Sequence, residues 1–154
     1  MTNSDINRKY NAITALKAVS WKYLGLYMKF AVWRNQLEDG YIEVQRTVKE
    51  MQESALKAYI DRVNGEIDLD NPPKAVPPDT PEFDELDKAI VEYSAAKSDK
   101  KIKIKGKIPY SWLEAVKEDS KVIPDVDALA AILEYVEDPE LEPVPEGVPD
   151  EESP

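Results

Sequence analysis

Residues 5–63 contain no proline, and a 3-4-3-4 stripe runs through them from Ile13 to Ala58. Its positions are Ile13, Leu16, Ser20, Tyr23, Tyr27, Phe30, Arg34, Leu37, Tyr41, Val44, Val48, Met51, Ala55 and Ala58. Twelve of these fourteen are apolar or aromatic, and Ser20 and Arg34 are the exceptions. Apolar residues at that spacing fall on one face of an α-helix, and a pattern held over more than six repeats commits the segment to helix.

The flanks of the stripe change along its length. Around residues 19–33 they are apolar too (Val19, Trp21, Leu24, Leu26, Met28, Val32, Trp33), which predicts a helix covered on most sides. After Gly40 they turn polar (Glu43, Gln45, Arg46, Lys49, Glu50), closer to a two-stranded coiled-coil seam. Glu38-Asp39-Gly40 is a turn signal. The expectation is a helical hairpin folded there, because one continuous helix of roughly 90 Å leaves its apolar face uncovered. A glycine costs only ~1 kcal/mol inside a helix, so Gly40 alone does not decide between hairpin and long helix. Asn64-Gly65 predicts a C-cap, closing the segment 5–64.

Residues 66–81 hold five prolines and four acids, the composition of an extended linker. A smaller helical module over 80–137 follows. Thr80-Pro81 supplies an N-cap and first-turn proline for a helix carrying Phe83, Leu86, Ile90 and Tyr93. Residues 100–108 alternate lysine and isoleucine with period two, a short strand or extended arm. A short helix is expected over Ser111–Ser120, and a last one begins at Pro124-Asp125 and carries Val126, Leu129, Ile132, Leu133 and Val136. The fold class expected is mainly α, with one β-like arm.

Charge is segregated. Residues 137–154 hold eight carboxylates, five prolines and no Lys or Arg, so they carry −8 of the net −11. A disordered acidic tail is expected over 138–154, since it has little to bury. The rest has 20 basic and 23 acidic side chains. Within it, the first 34 residues set Arg8, Lys9, Lys17, Lys22, Lys29 and Arg34 against Asp5 alone, interleaved with aromatics. Such a surface suits an anionic membrane or nucleic acid, although aromatics at seam positions more often point inward.

Candidate chemistry is sparse. With no histidine and no cysteine, the commonest general base, the usual transition-metal ligands and the thiolate nucleophile are missing. Ser94 and Lys97 have the S-x-x-K spacing of serine acyl-enzymes without its companion elements. Asp68-Leu69-Asp70 opens like a calcium loop, but Pro72 and Pro73 stand where further ligands belong. Asp84, Glu85 and Asp87 complement a helix dipole. No enzyme, cofactor or metal is therefore expected. With no apolar run of ~20 residues and no signal-peptide pattern at the N-terminus, a soluble, cytoplasmic or particle-incorporated protein is the expectation.

The function expected is non-enzymatic: an adaptor or assembly protein, homo-oligomeric or bound to a helical partner. Its contacts are assigned to Trp21, Tyr23, Tyr27, Phe30, Trp33, Leu37, Tyr41, Val44, Val48 and Met51, since aromatics anchor interfaces. Lys100, Lys101, Lys103, Lys105 and Lys107 are assigned to an anionic partner, which includes the chain's own tail. Two alternatives are a nucleic-acid-binding accessory protein restrained by that tail, and an inhibitor whose tail mimics an acidic ligand. No family signature is read; the composition resembles prokaryotic and phage accessory proteins by analogy only.

Overall fold

In a computed structural model, residues 1–68 and 70–137 are described. They form five α-helices: α1 (Asn3–Lys17), α2 (Leu24–Arg62), α3 (Pro81–Ala95), α4 (Tyr110–Glu114) and α5 (Val126–Ala131), with a 3-10 turn at Leu133–Tyr135. The fold is mainly helical. Among the described residues there is no sheet, only isolated bridges. The acidic segment expected over 138–154 lies outside the described residues, as does Leu69. The described residues form two compact units, one of Met1–Tyr10 with Asn35–Lys103, the other of Asn11–Arg34 with residues 104–137.

The turn expected at Glu38-Asp39-Gly40 is overturned. α2 runs unbroken through Gly40 for 39 residues, and the break in the 5–64 helix lies earlier, between Lys17 and Leu24. Gly40 is buried as a notch rather than a bend: a Cβ there would stand 2.6 Å from Cδ1 of Ile102 and 3.2 Å from Cδ1 of Ile6. The earlier break coincides with Ser20, one of the two polar interruptions in the stripe. There the backbone finds partners outside a helix, as buried N–H and C=O groups must. The Tyr27 hydroxyl donates to the Val19 carbonyl (2.9 Å) and accepts the Trp21 N–H (2.6 Å). The Trp21 indole N–H donates to the Leu16 carbonyl (2.7 Å) near the end of α1.

In the first unit, α1 opens on a capping box. The Asp5 N–H donates to the Thr2 hydroxyl, and the Thr2 N–H donates to the Asp5 carboxylate, each at 3.1 Å. Buried Asn3 serves the far end of α3, where carbonyls lack helical partners. Its backbone N–H donates to the Ala96 carbonyl (3.0 Å) and its side-chain amide to that of Tyr93 (2.8 Å). α3 begins as expected, with Pro81 in the first turn and the Thr80 hydroxyl accepting the Phe83 N–H at 3.2 Å. Arg62, at the end of α2, grips Glu82 with two hydrogen bonds of 2.7 and 2.9 Å. Gly65, just past α2, has φ of +95°, the left-handed geometry expected of a glycine closing a helix. Residues 66–81, expected as an extended linker, carry a buried Val76.

In the second unit the core gathers Leu16, Val19, Trp21, Leu26, Phe30, Trp33, Ile108 and Ile132, all buried. Phe30 lies between Trp21 (6.1 Å between ring centroids) and Trp33 (6.0 Å), and Trp33 meets Tyr135 at 5.4 Å. The helix expected over Ser111–Ser120 stops at Glu114. Beyond it the backbone pairs with the α1–α2 connection: the Lys22 N–H donates to the Ala115 carbonyl and the Lys117 N–H to that of Ser20, both at 2.8 Å. Asp125 caps α5, accepting the Asp127 N–H. The apolar run to Val136 leaves the helix after Ala131, and Val136 pairs in parallel with Ile108. The β-like arm is corrected in the same way: among the described residues 100–108 forms no strand, with a bend at Lys100, a left-handed Gly106 and a single β-bridge at Ile108. Its alternation survives as burial, lysines outward and isoleucines inward.

Candidate interaction surfaces

The stripe residues assigned to a partner are largely internal. Trp21, Phe30, Trp33, Leu37 and Val44 are buried within the chain itself. Tyr27 is half-buried by its hydrogen bonds to the α1–α2 connection. Tyr41, also half-buried, stacks on Tyr10 with centroids 3.9 Å apart. Val48 and Met51 are half-buried as well. Only Tyr23 is exposed, and it stacks on Trp112 at 5.6 Å. An aromatic seam looks the same in sequence whether it faces the chain's own core or a partner. Here the anchors face inward.

Three residues flanking the stripe lie among the large apolar side chains left exposed, which also include Val91, Ile123, Val126 and Leu133. Leu24, Met28 and Val32 are 73%, 63% and 47% exposed. Spaced four apart, they fall within about 80° of one another on α2, opposite Leu26, Phe30 and Trp33. Their four-residue spacing, out of phase with the main stripe, was the available signal. Lys22 beside them is exposed and Lys29 half-buried.

All five arm lysines are exposed. Two lie in the second unit, Lys105 and Lys107, and the glycine between them is specialised. Gly106 has φ of +87°, and a Cβ added to it would run into the Lys29 ammonium. The Trp33 indole N–H donates to the Lys105 carbonyl at 3.0 Å, tying this stretch to the core.

In the first unit a groove of about 480 Å³ is lined by Met51, Ala55, Ala58, Leu86 and Ala89, with Glu50, Glu82 and Glu85 also lining it. The Arg62 guanidinium holds the Glu82 carboxyl below the usual range. Asp5 is also held low, chiefly by the Thr2 N–H. Ser94 lies on α3 while Lys97 lies past its end, where Lys97 bridges to Thr2, so the S-x-x-K pair does not share a helical face. Among the described residues no group of acidic side chains is placed to hold a metal, and no helix is long and apolar enough to cross a membrane.

Compared with protein-family models, curated proteins and solved structures, the chain has no significant match.

Proposed function

We propose that this chain is a non-enzymatic interaction and assembly protein whose contact surface is the outward ridge of α2, and that the ridge meets the same ridge of a second copy. The observation that carries this is the exposure of Leu24, Met28 and Val32 in a row on the side of α2 opposite its core. Large apolar side chains at consecutive turns of one helix form a continuous patch, and such patches mark contact surfaces in a way that scattered ones do not. A row spaced by four is also the ridge that interdigitates in the commonest class of helix packing. It presents the self-complementary patch that a two-fold dimer needs.

The magnitude is bounded. Burying three such side chains on each copy, already partly covered in the monomer, gains at most about 1.5–3 kcal/mol each, against an association cost of 4–15 kcal/mol or more. Two ridges alone give a weak dimer, so contacts beyond them set its lifetime. The test is mass by light scattering over a concentration series reaching the millimolar range. The mass is expected to rise with concentration, and Met28→Lys is expected to return it to that of a monomer. A monomer throughout contradicts the reading.

The exposure of all five arm lysines supports a second reading, binding of an anionic polymer. Its signature is an affinity that falls steeply as salt rises.

A further inference from the structure

We infer that Asn64 is a self-modifying site, where the Gly65 backbone nitrogen closes on the Asn64 side chain and leaves isoaspartate and aspartate. The Gly65 nitrogen loses its proton to solvent and attacks Cγ of Asn64. The bond from Cγ to the side-chain nitrogen breaks, ammonia leaves, and a succinimide ring remains. Water then opens the ring at either carbonyl. One opening gives aspartate; the other gives isoaspartate, with the chain running through the side-chain carbon. Nothing is oxidised or reduced, and water is the only co-reactant. Either product sets a carboxylate where a neutral amide stood.

Ring closure needs a backbone N–H on the next residue, no side chain crowding it, and a backbone able to swing toward Cγ. The chain has six asparagines, and these requirements separate them. Asn71 precedes Pro72, which has no N–H. Asn7, Asn11 and Asn35 lie inside helices, where hydrogen bonding holds the following N–H along the axis. Asn3 precedes the small Ser4, but it is buried and its amide donates to the Tyr93 carbonyl at 2.8 Å. Asn64 alone precedes a glycine.

Asn64 and Gly65 lie past the end of α2, and both are exposed. A Cβ on Gly65 would meet nothing within 4 Å, so the backbone has room to move. Their turn is closed by the Glu66 N–H donating to the Val63 carbonyl at 2.9 Å. Among the described residues the Gly65 N–H itself has no acceptor. Asp39-Gly40 invites the same cyclisation in sequence, but there the glycine sits inside α2 against Ile6 and Ile102. The new carboxylate stands two residues from Arg62, whose guanidinium holds Glu82. It also lies at the negative end of the α2 dipole, so it disfavours the last turn of that helix.

The full-length folded chain is incubated at mildly alkaline pH and sampled by tryptic peptide mapping. Cleavage after Arg62 and Lys74 releases a peptide holding both Asn64 and Asn71, so Asn71 is an internal control. The mass gain of exchanging an amide for an acid is expected at Asn64, in two chromatographic products. It is expected to form roughly ten-fold faster than at any other asparagine, because glycine alone leaves the nitrogen uncrowded. Asn64→Gln is expected to abolish both products. In guanidinium chloride, Asn3 and Asp39 are expected to react as well. An Asn64 that stays intact in the folded chain overturns the inference, and so does an Asn3 that reacts as fast there. A pattern unchanged by unfolding also overturns it, since the selectivity would then belong to sequence alone. The readout is a mass within one peptide, so it is separate from whether the α2 ridge assembles.

Discussion

Gly106 and Gly65 share a left-handed backbone but differ in surroundings: beside Gly106 lies the Lys29 side chain, and beside Gly65 lies open space. A non-glycine residue in that geometry costs about 1–2 kcal/mol by itself. Gly65→Ala is therefore expected to lower stability by that amount, and Gly106→Ala by slightly more, since the added Cβ displaces only the movable end of the Lys29 side chain. Lys29→Ala introduced into Gly106→Ala is expected to recover the excess. Urea unfolding of the four chains checks it, and equal losses at the two glycines would show that the Lys29 contact carries no energy. Neither glycine's role was equally legible. Gly65 follows an apolar periodic stretch and reads as a cap from sequence. Gly106 sits in a lysine tract, and its purpose depends on a side chain 77 positions away in the sequence.

At the scale of elements, helix ends were the most legible part of the chain. Thr80-Pro81 and Pro124-Asp125 act through neighbours a few residues away, and the structure has both caps in place. The α1–α2 break was not legible, because it is decided by tertiary hydrogen bonds from Tyr27 and Trp21 and by pairing with 115–117. A turn signal such as Glu38-Asp39-Gly40 loses to a buried notch filled by Ile6 and Ile102. Tyr27→Phe, which keeps the ring and removes both bonds of the hydroxyl, is expected to cost about 1–3 kcal/mol. Thermal unfolding measures it, and an unchanged midpoint would mean that the connection is held by packing alone.

The α1 cap also predicts a pH response. Asp5 is held low by the Thr2 N–H, so its folded-state pKa lies below its unfolded one. Its contribution is therefore fully present above the ordinary carboxylate range and is lost as pH falls through the depressed folded value. Between pH 6 and pH 2, Asp5→Asn should show a shallower loss of stability than the native chain. Parallel pH curves would remove Asp5 from the account.

For the whole molecule, the sequence conveyed a helical protein with a stripe too apolar to leave exposed, and the structure has that helical character. It could not convey which apolar residues remain outside once the stripe is covered, because that depends on what covers it. Trp21, Phe30 and Trp33 are covered by the chain itself, whereas Leu24, Met28 and Val32 are not. A charged residue on that ridge removes no core packing, so Met28→Lys is expected to leave the unfolding midpoint of the monomer within about 0.5 kcal/mol of native. A large loss would place Met28 in the core.

The central claim is that this ridge is where the chain meets a second copy. The chain has three methionines, Met1, Met28 and Met51. Their methyl resonances, followed over a dilution series of the full-length protein, test it most directly. The Met28 methyl is expected to shift progressively as concentration rises while that of Met51 stays fixed, and Leu24→Ser with Val32→Ser is expected to abolish the shift. A Met28 methyl that does not move while the mass rises would put the contact elsewhere on the molecule and contradict the account.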